Sequence, residues 1–304
     1  MTKPKFSIVI ALAPERNAEV LDSLKLVDYL KENYEIIVKK GLNPSENRNN
    51  GIKESKGEII VILDDDAYLD ENILKNAESF FKEHKDISIV GGPQLTPKTD
   101  NFFAKTSGYV LESKFGAYQM SSRYTKQKLN LNADEKSITS ANCFIRKNII
   151  KDVGYFNTNL YPGEDPEFFS RAKNKGFKIA YSPNLIIYHK RRNTFFSFLK
   201  QIYKYGKVRL QKENINKSIV NPVFLIPSIF FIYVITLPLT YQLSSLFVLP
   251  LILYIIINIL FSFIISFKNE PYAFPLIFIL FFSIHLSYGL GMLIYILKFK
   301  NHSS

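Results

Sequence analysis

The last third of the chain is almost without charge, and no other feature constrains the fold as strongly. Between residues 218 and 297 the only fully charged positions are Lys268 and Glu270. Residues 1–217, in contrast, mix charged and apolar side chains throughout. About 20 consecutive apolar residues suffice for a helix that crosses a bilayer. We therefore expect three transmembrane spans, at residues 222–241, 246–267 and 272–297.

Basic residues accumulate directly before the first of these segments. Nine lysines and arginines lie between Lys190 and Lys217, against Glu213 as the single acid. Positive charge beside an apolar segment marks the cytoplasmic side and attracts anionic lipid headgroups. We therefore attribute the net charge of +12 to an interaction with membrane lipids rather than with nucleic acid. We expect a multi-pass protein of the cell membrane with its front domain in the cytoplasm. The lone cysteine, Cys143, agrees with a reducing compartment.

Two features of this region keep alternatives open. Residues 191–217 interleave aromatic and basic side chains, which is typical of an interfacial helix. A basic linker between a domain of residues 1–190 and a membrane region of residues 218–304 is the other interpretation. A re-entrant first apolar segment, instead of a span, is favoured by three prolines: Pro222, Pro227 and Pro238.

The front domain alternates strand and helix patterns. This alternation predicts an α/β fold with a mostly parallel sheet. Strands are expected at Phe6–Leu12, Glu35–Val38, Ile87–Val90 and Leu185–Tyr188, and another is expected in the apolar run of residues 58–66, which ends in three carboxylates. Helices are expected at about 16–32, from an N-cap at Ser45 to Ser55, and at 71–83. Residues 100–137 show no clear periodicity and are interpreted as an insertion near the functional site.

One predicted strand ends in three consecutive carboxylates, Asp64, Asp65 and Asp66. Ligand sites of open α/β sheets lie at the carboxyl ends of the strands. Adjacent like charges repel one another, so they are tolerated in solvent or around a cation. The run therefore predicts a divalent cation site. The alternative is a turn in which Asp66 caps the following helix.

A second acidic sequence, Glu164-Asp165-Pro166-Glu167, follows Gly163 and reads as a helix start. Its acids could simply cap that helix, or a rigidly held carboxylate could act as a general base. Together the two acidic sites suit displacement on a phosphorylated donor. Mg²⁺ or Mn²⁺ at the first site would neutralise a diphosphate leaving group. The second would remove a proton from the attacking hydroxyl.

The order of these motifs resembles family 2 glycosyltransferases of the GT-A fold, a Rossmann-like α/β fold. The resemblance covers about residues 5–210 and rests on Ser7-Ile8-Val9-Ile10, Asn47-Arg48-Asn49-Asn50-Gly51-Ile52, Leu63-Asp64-Asp65-Asp66, Gly91-Gly92, Ser140-Ala141-Asn142 and Gly163-Glu164-Asp165. Residues 189–206 are similar to membrane-bound members that build exopolysaccharides or lipid-linked glycans.

The resemblance implies a nucleotide-diphospho-sugar donor, Mg²⁺ or Mn²⁺ as cofactor, and inversion at the anomeric carbon. The acceptor would be a lipid-linked saccharide or a growing surface glycan. A UDP-sugar is the expected donor, with a GDP-sugar as alternative because Lys39-Lys40 replaces the family's usual aspartate pair. The implied roles are catalysis by Asp165 with Glu164 beside it, donor binding by Asp64, Asp65, Arg48, Ala11, Pro14 and Asn142, and metal binding by Asp66 and His189. Arg146 is expected to line the same pocket as Asn142.

Three other functions compete with this one. A polyprenyl-phosphate sugar synthase would use the lipid phosphate itself as acceptor. A processive polymer synthase is disfavoured, because three spans leave little room for a channel and the Gln-x-x-Arg-Trp run is missing. A non-catalytic membrane scaffold with a degenerate nucleotide-sugar domain is disfavoured by the intact Asp64, Asp66 and Asp165.

Overall fold

The computed structural model describes residues 3–216 and 220–300, which fall into two compact units. The first, called here the sheet unit, comprises Met1–Pro97 and Gln119–Lys190. The second, the helical unit, comprises Lys98–Tyr118 and Arg191–Ser304. The boundary expected between residues 217 and 218 lies outside the described residues.

All described strands belong to the sheet unit. In chain order they are β1 (Phe6–Leu12), β2 (Tyr34–Lys40), β3 (Ile59–Asp64), β4 (Ala67–Leu69), β5 (Ile87–Gly91), β6 (Gln94–Leu95), β7 (Asn142–Arg146), β8 (Lys178–Tyr181) and β9 (Ile187–His189). The main sheet has the order β2-β1-β3-β7-β5-β8, and a small sheet has the order β4-β9-β6. In the main sheet only β7 runs antiparallel to its neighbours.

The helices are divided between the units. Those of the sheet unit are α1 (Val20–Leu24), α2 (Pro44–Glu54), α3 (Ile73–Glu83), α6 (Ile150–Val153) and α7 (Glu164–Asn174). Those of the helical unit are α4 (Phe102–Glu112), α5 (Lys114–Ala117), α8 (Phe195–Asn216), α9 (Ile226–Leu243), α10 (Leu249–Lys268) and α11 (Phe274–Lys300).

The main sheet is buried on both faces, which explains the unbroken apolar run of β3. Val61 and Leu63 pack into one core cluster, while Ile60 and Ile62 pack into the other, and all four are fully buried. Parallel strands covered by helices on both faces show this continuous apolar pattern. The predicted α/β fold with a mostly parallel sheet is confirmed.

The helix expected at residues 16–32 is much shorter in the structure. Helix α1 ends at Leu24, and Val27 remains buried in the core without continuing the helix. Long-range backbone pairing causes this. The N–H of Val20 donates to the carbonyl of Asp65, and the N–H of Asp28 donates to Glu71. These bonds tie the segment to the chain after β3 instead of to its own preceding turn.

The start of α2 also differs from the prediction. Asn43, not Ser45, is the N-cap, and its side-chain oxygen accepts from the N–H groups of Ser45 and Glu46. Pro44 occupies the first helical position, where its missing N–H costs nothing. Asn43 also donates to the carbonyl of Thr158, so one side chain serves as cap and as tertiary contact.

Among its described residues, the helical unit contains three helices long and apolar enough to cross a membrane. They span Pro222–Leu243, Ser245–Lys268 and Pro271–Leu297, with mean hydropathies of 2.2, 2.7 and 2.0. The basic segment before them is helical as α8, and it packs closely on α11. A Cβ at Gly206 would overlap the carbonyl oxygen of Tyr288, so only glycine permits this approach.

Candidate active site

The strand-end acids lie where two neighbouring strands finish. Ala11 of β1 is in register with Asp64 of β3, so the turn after β1 faces the acidic turn. Strand β9 brings a third group, because His189 pairs with Ala67 directly after Asp66. The two sheets thus gather residues that are more than a hundred positions apart in sequence.

Asp64, Asp66 and His189 form a compact group. His189 Nε2 lies 3.3 Å from Asp64 Oδ2 and 3.2 Å from Asp66 Oδ1. Burial alone would lower the pKa of His189, but Asp66 and Asp64 raise it to about 9. Burial also acts to raise the pKa of Asp66, yet His189 and Arg16 hold it far below its usual value.

This group fits a divalent cation. One ligand atom from each of Asp64, Asp66 and His189 lies within 4.8 Å of the others. Ligands about 2.1 Å from an octahedral ion stand roughly 3 to 4 Å apart, so small side-chain rotations bring these atoms onto one ion. Carboxylate oxygens suit Mg²⁺ and Mn²⁺. The alternative role of Asp66, a cap for the next helix, is wrong because Asn72 precedes α3.

The middle acid, Asp65, is satisfied by a cation that the sequence analysis missed. Arg16 Nη1 lies 3.1 Å from Asp65 Oδ1, and its Nη2 donates to Asp66 Oδ2 at 2.6 Å. Burial raises the pKa of Asp65 to about 6, Arg16 opposes the rise, and the flanking aspartates add to it. Pro14 lies in the turn that presents Arg16, whose N–H donates to the carbonyl of Ala13.

Arg48 joins the two acidic sequences. Its Nη2 donates to Asp64 Oδ1 at 2.9 Å, and its Nη1 donates to Glu164 Oε1 at 2.5 Å. The side chain is 5% exposed, so Arg48 is buried between the two acidic sequences. Burial acts to lower the pKa of Arg48, but Glu164 and Asp64 raise it further above its ordinary value.

The second acidic sequence starts helix α7. Gly163 precedes it with φ 117°, a backbone conformation that favours glycine. Both carboxylate oxygens of Glu164 are engaged, one by Arg48 and the other by the N–H of Gly163. Asp165 is half-buried, and its Oδ2 accepts from the N–H of Ser140 at 3.2 Å. Ser140 precedes β7, whose antiparallel course returns it to this end of the sheet.

The same antiparallel strand separates Asn142 and Arg146. Asn142 pairs with Leu63 beside the site, but its fully buried amide donates to the carbonyls of Pro93 and Leu185. Its contacts therefore support the loops behind the site. Arg146 pairs with Ile59 at the opposite end of β3. The prediction that Arg146 lines the same pocket as Asn142 is therefore wrong.

The mostly parallel sheet, with carboxylates and a histidine at the end of its strand β3, places the protein in the GT-A class. Residues 59–294 match the family model described as glycosyl transferase family group 2. That match covers well over half of the chain, and the chain belongs to this family.

Two curated relatives are similar to this chain in sequence. The chain is 24% identical over 178 residues to glycosyltransferase AglE of Haloferax volcanii, covering 58% of this chain and 54% of that protein. It therefore spans about half the length of that relative. It is 23% identical over 259 residues to a Methanococcus voltae protein, covering 74% and 78% of the two chains. That protein is named dolichyl N-acetyl-alpha-D-glucosaminyl phosphate 3-beta-D-2,3-diacetamido-2,3-dideoxy-beta-D-glucuronosyltransferase.

Among solved structures, the fold is shared with the mannosyltransferase PcManGT from Pyrobaculum calidifontis, in complex with GDP-Man and Mn²⁺. The TM-score is 0.50 at 14% identity, and the match covers 73% of this chain and 67% of that one. At this identity the likeness concerns the fold alone.

Proposed function

We propose that the protein is a metal-dependent, inverting glycosyltransferase of the membrane. It transfers a sugar from a nucleotide-diphospho-sugar to a lipid-linked saccharide or growing surface glycan at the cytoplasmic face. One observation carries the proposal: Arg48 bonds to both Asp64 and Glu164. Arg48 thereby joins the group formed by Asp64, Asp66 and His189 at the end of β3 to the acids at the start of α7, and together they form one charged site in the sheet unit.

Asp165 is the general base of the proposed reaction. It takes the proton from the acceptor hydroxyl, whose oxygen then forms a bond to the anomeric carbon. The bond from that carbon to the diphosphate oxygen breaks, and its electron pair leaves with the nucleoside diphosphate. Glu164 does not accept this proton, because Arg48 and the N–H of Gly163 already occupy its two oxygens. It is a positioning residue. A single displacement of this kind inverts the anomeric carbon without a covalent enzyme intermediate.

The strand-end group handles the leaving diphosphate. Asp64, Asp66 and His189 would hold Mg²⁺ or Mn²⁺, which supplies positive charge for the diphosphate when bound. Arg16 adds a guanidinium on the same side, where it faces Asp66 and is partly exposed to an incoming phosphate. Asp65 is bound to Arg16 and so fixes the position of that guanidinium. A UDP-sugar is the proposed donor, and a GDP-sugar is the alternative.

The membrane placement rests on the helical unit. The three long apolar helices account for a multi-pass protein, and the basic helix α8 precedes them. Lysine and arginine beside the first span favour the cytoplasm for that end. An acceptor with a lipid diphosphate is anionic and lies at headgroup depth, where basic side chains attract it.

A panel of nucleotide sugars tests the proposal on the full-length protein in detergent. Thermal unfolding is followed with and without Mn²⁺, and with a chelator. A ligand at about 100 times its Kd stabilises the folded state by about 2.7 kcal/mol. We expect one donor class to stabilise the protein and Mn²⁺ to increase the effect. The same panel on the variant Asp86→Ala, which removes an exposed carboxylate paired with Lys178, should give the same shifts as the unaltered protein. If no nucleotide sugar shifts the transition, the scaffold function replaces the enzyme.

A further inference from the structure

Strand β2 forms one edge of the main sheet, and no strand in the described part of the chain pairs with its outer side. Its inner side pairs with β1 along the whole strand without a register shift. The carbonyl of Asn33 accepts from Lys5, and the N–H of Gly41 donates to Leu12 of β1. Successive residues of a strand direct their backbone groups to opposite sides, so the odd-numbered residues bond to β1. The outward N–H and C=O groups are those of Tyr34, Ile36, Val38 and Lys40.

The side chains along this edge are apolar and yet exposed. Ile36 and Val38 lie on one face of the strand, at 41% and 37% exposure. On the same face, Tyr34 packs against Tyr29 with ring centroids 6.5 Å apart. Leu30, which follows Tyr29, is 62% exposed. Unpaired strand backbone beside exposed apolar side chains is typical of an interaction surface.

Charge is distributed unevenly along β2. Glu35 lies near its start, and Lys39 and Lys40 lie at its end. The Oε1 atom of Glu35 accepts from the hydroxyl of Ser7 and from the N–H of Lys56, both at 2.5 Å, so its negative charge is held in place. Lysines on an edge strand oppose the addition of another strand. A strand that presents an acid opposite the lysines overcomes this opposition.

A second copy of β2 meets this requirement in one register. Two strands related by a two-fold axis pair antiparallel, and outward residues must face outward residues for hydrogen bonds to form. With Ile37 opposite its own copy, Glu35 lies opposite Lys39. The same register sets Ile36 opposite Val38. In the two neighbouring registers that allow hydrogen bonds, Ile37 lies opposite Glu35 or Lys39, and the charge pairing is lost.

We propose that the outer edge of β2 is a homodimer interface, in which the β2 strands of two copies of this chain pair antiparallel about Ile37. The two main sheets then form one continuous sheet. The two-fold axis produces the pair of Glu35 with Lys39 twice, and Ile36 and Val38 of both copies pack on one face. Lys39 also contacts Glu54 of its own chain at 2.5 Å, so it lies between two carboxylates. This interface goes beyond the proposed transfer reaction and does not depend on it.

Disulfide cross-linking tests the register in the full-length protein in detergent. The native Cys143 is buried, so an introduced cysteine dominates the reaction with a mild oxidant. In the proposed dimer the two copies of residue 37 face each other without hydrogen bonds, with Cα atoms about 4.5 Å apart. That distance lies within the range of disulfides, so Ile37→Cys should cross-link. The control is Leu42→Cys, at 91% exposure, because two copies of residue 42 would lie about 30 Å apart.

We expect non-reducing electrophoresis to show at least about fivefold more covalent dimer for Ile37→Cys than for Leu42→Cys. Random collision would favour Leu42→Cys, because its side chain is the more exposed of the two. Cross-linking that is absent from Ile37→Cys, or that is equal in both variants, would disprove the pairing of β2 with its copy.

The mass of the particle gives a second test that does not require Ile37→Cys to fold. Light scattering corrected for detergent should give twice the chain mass of 35.1 kDa for the unaltered protein. Ile36→Pro removes one outward N–H and leaves the bonds to β1, since proline is tolerated where an edge strand faces solvent. We expect this variant to be a monomer and Val38→Thr, which keeps its N–H, to stay a dimer. A monomeric unaltered protein, or a dimeric Ile36→Pro variant, would overturn the interface.

Discussion

The two acidic turns of the sheet unit have similar sequences but opposite electrostatic surroundings. Each carboxylate after β3 faces a cation, supplied by Arg48, Arg16 or His189. At the start of α7, Glu164 pairs with Arg48. Asp165 instead accepts a backbone N–H, and among the described residues no cation forms an ion pair with it.

One site can therefore use its acids for two purposes. A carboxylate already held by positive charge is suited to binding a metal or organising the charge of a diphosphate. A carboxylate without a counter-ion keeps a lone pair that can take a proton. Arg48 lies between the two turns, so it fixes their separation while neutralising one acid from each.

The largest expected effect comes from changing Asp165, which forms no ion pair with any residue that the structure describes. Asp165→Asn keeps the shape and the contact with Ser140 but cannot accept a proton. General base catalysis contributes about 10²- to 10⁴-fold, so we expect transfer to fall by that factor. The Kd for the donor should stay within about twofold. Asp152→Asn, an exposed carboxylate in α6, is the control. Normal turnover in Asp165→Asn would remove the contrast between the two turns.

The next effect concerns the connection between the turns. Arg48→Met leaves Asp64 and Glu164 without their shared cation in a buried position. Breaking a buried ion pair costs about 3–5 kcal/mol, and we expect that loss in the free energy of unfolding. Chemical denaturation measures it. The double variant Arg48→Met with Glu164→Gln should recover part of the loss, because it removes one uncompensated charge. A loss below about 1 kcal/mol would show that the turns are not held together by Arg48.

A smaller effect is expected from a substitution in the proposed metal-binding group of Asp64, Asp66 and His189. Asp66→Ala removes one carboxylate next to His189. In the presence of Mn²⁺ we expect the Kd of the nucleotide sugar to rise about tenfold or more, about 1.4 kcal/mol. Asp22→Ala, an exposed acid in α1, controls for charge. Equal donor affinity with and without a chelator, in the unaltered protein, would contradict a metal at this turn.

Much of the acidic site could be predicted from sequence because its residues end regular elements. The strand β1 has the predicted bounds, and Asp64 ends β3 as expected. The pairing of Arg16 with Asp65 and Asp66 was missed. A signal for it existed, since Pro14-Glu15-Arg16 follows β1, and the ends of adjacent parallel strands meet at one edge.

Long-range backbone contacts explain where local patterns failed. The apolar period through Val27 predicts a long helix, but the bond from Asp28 N–H to Glu71 ends it. The lack of periodicity in residues 100–137 predicts an insertion near the site, yet the first part forms α4 and α5 within the helical unit. Periodicity could not reveal this assignment, because α4 is short and its neighbours lie far along the chain.

The smallest predicted effect tests the helix that carries Arg48. Asn43→Ala removes the N-cap of α2 and should cost about 1 kcal/mol of unfolding free energy. Ser45→Ala should be near neutral, because the buried hydroxyl of Ser45 has no hydrogen-bond partner in the described part of the chain. Thermal or chemical unfolding compares the two. A larger loss for Ser45→Ala than for Asn43→Ala would reverse the cap assignment.

The stereochemistry of the product most directly tests whether one turn supplies the general base and the other binds the leaving group. The donor selected by the thermal panel would be incubated with its acceptor, and the anomeric configuration of the new linkage determined by NMR. One base at Asp165 and a leaving group held at Asp64 and Asp66 predict inversion relative to the donor. A product with retained configuration would contradict the single displacement and the role of Asp165 within it.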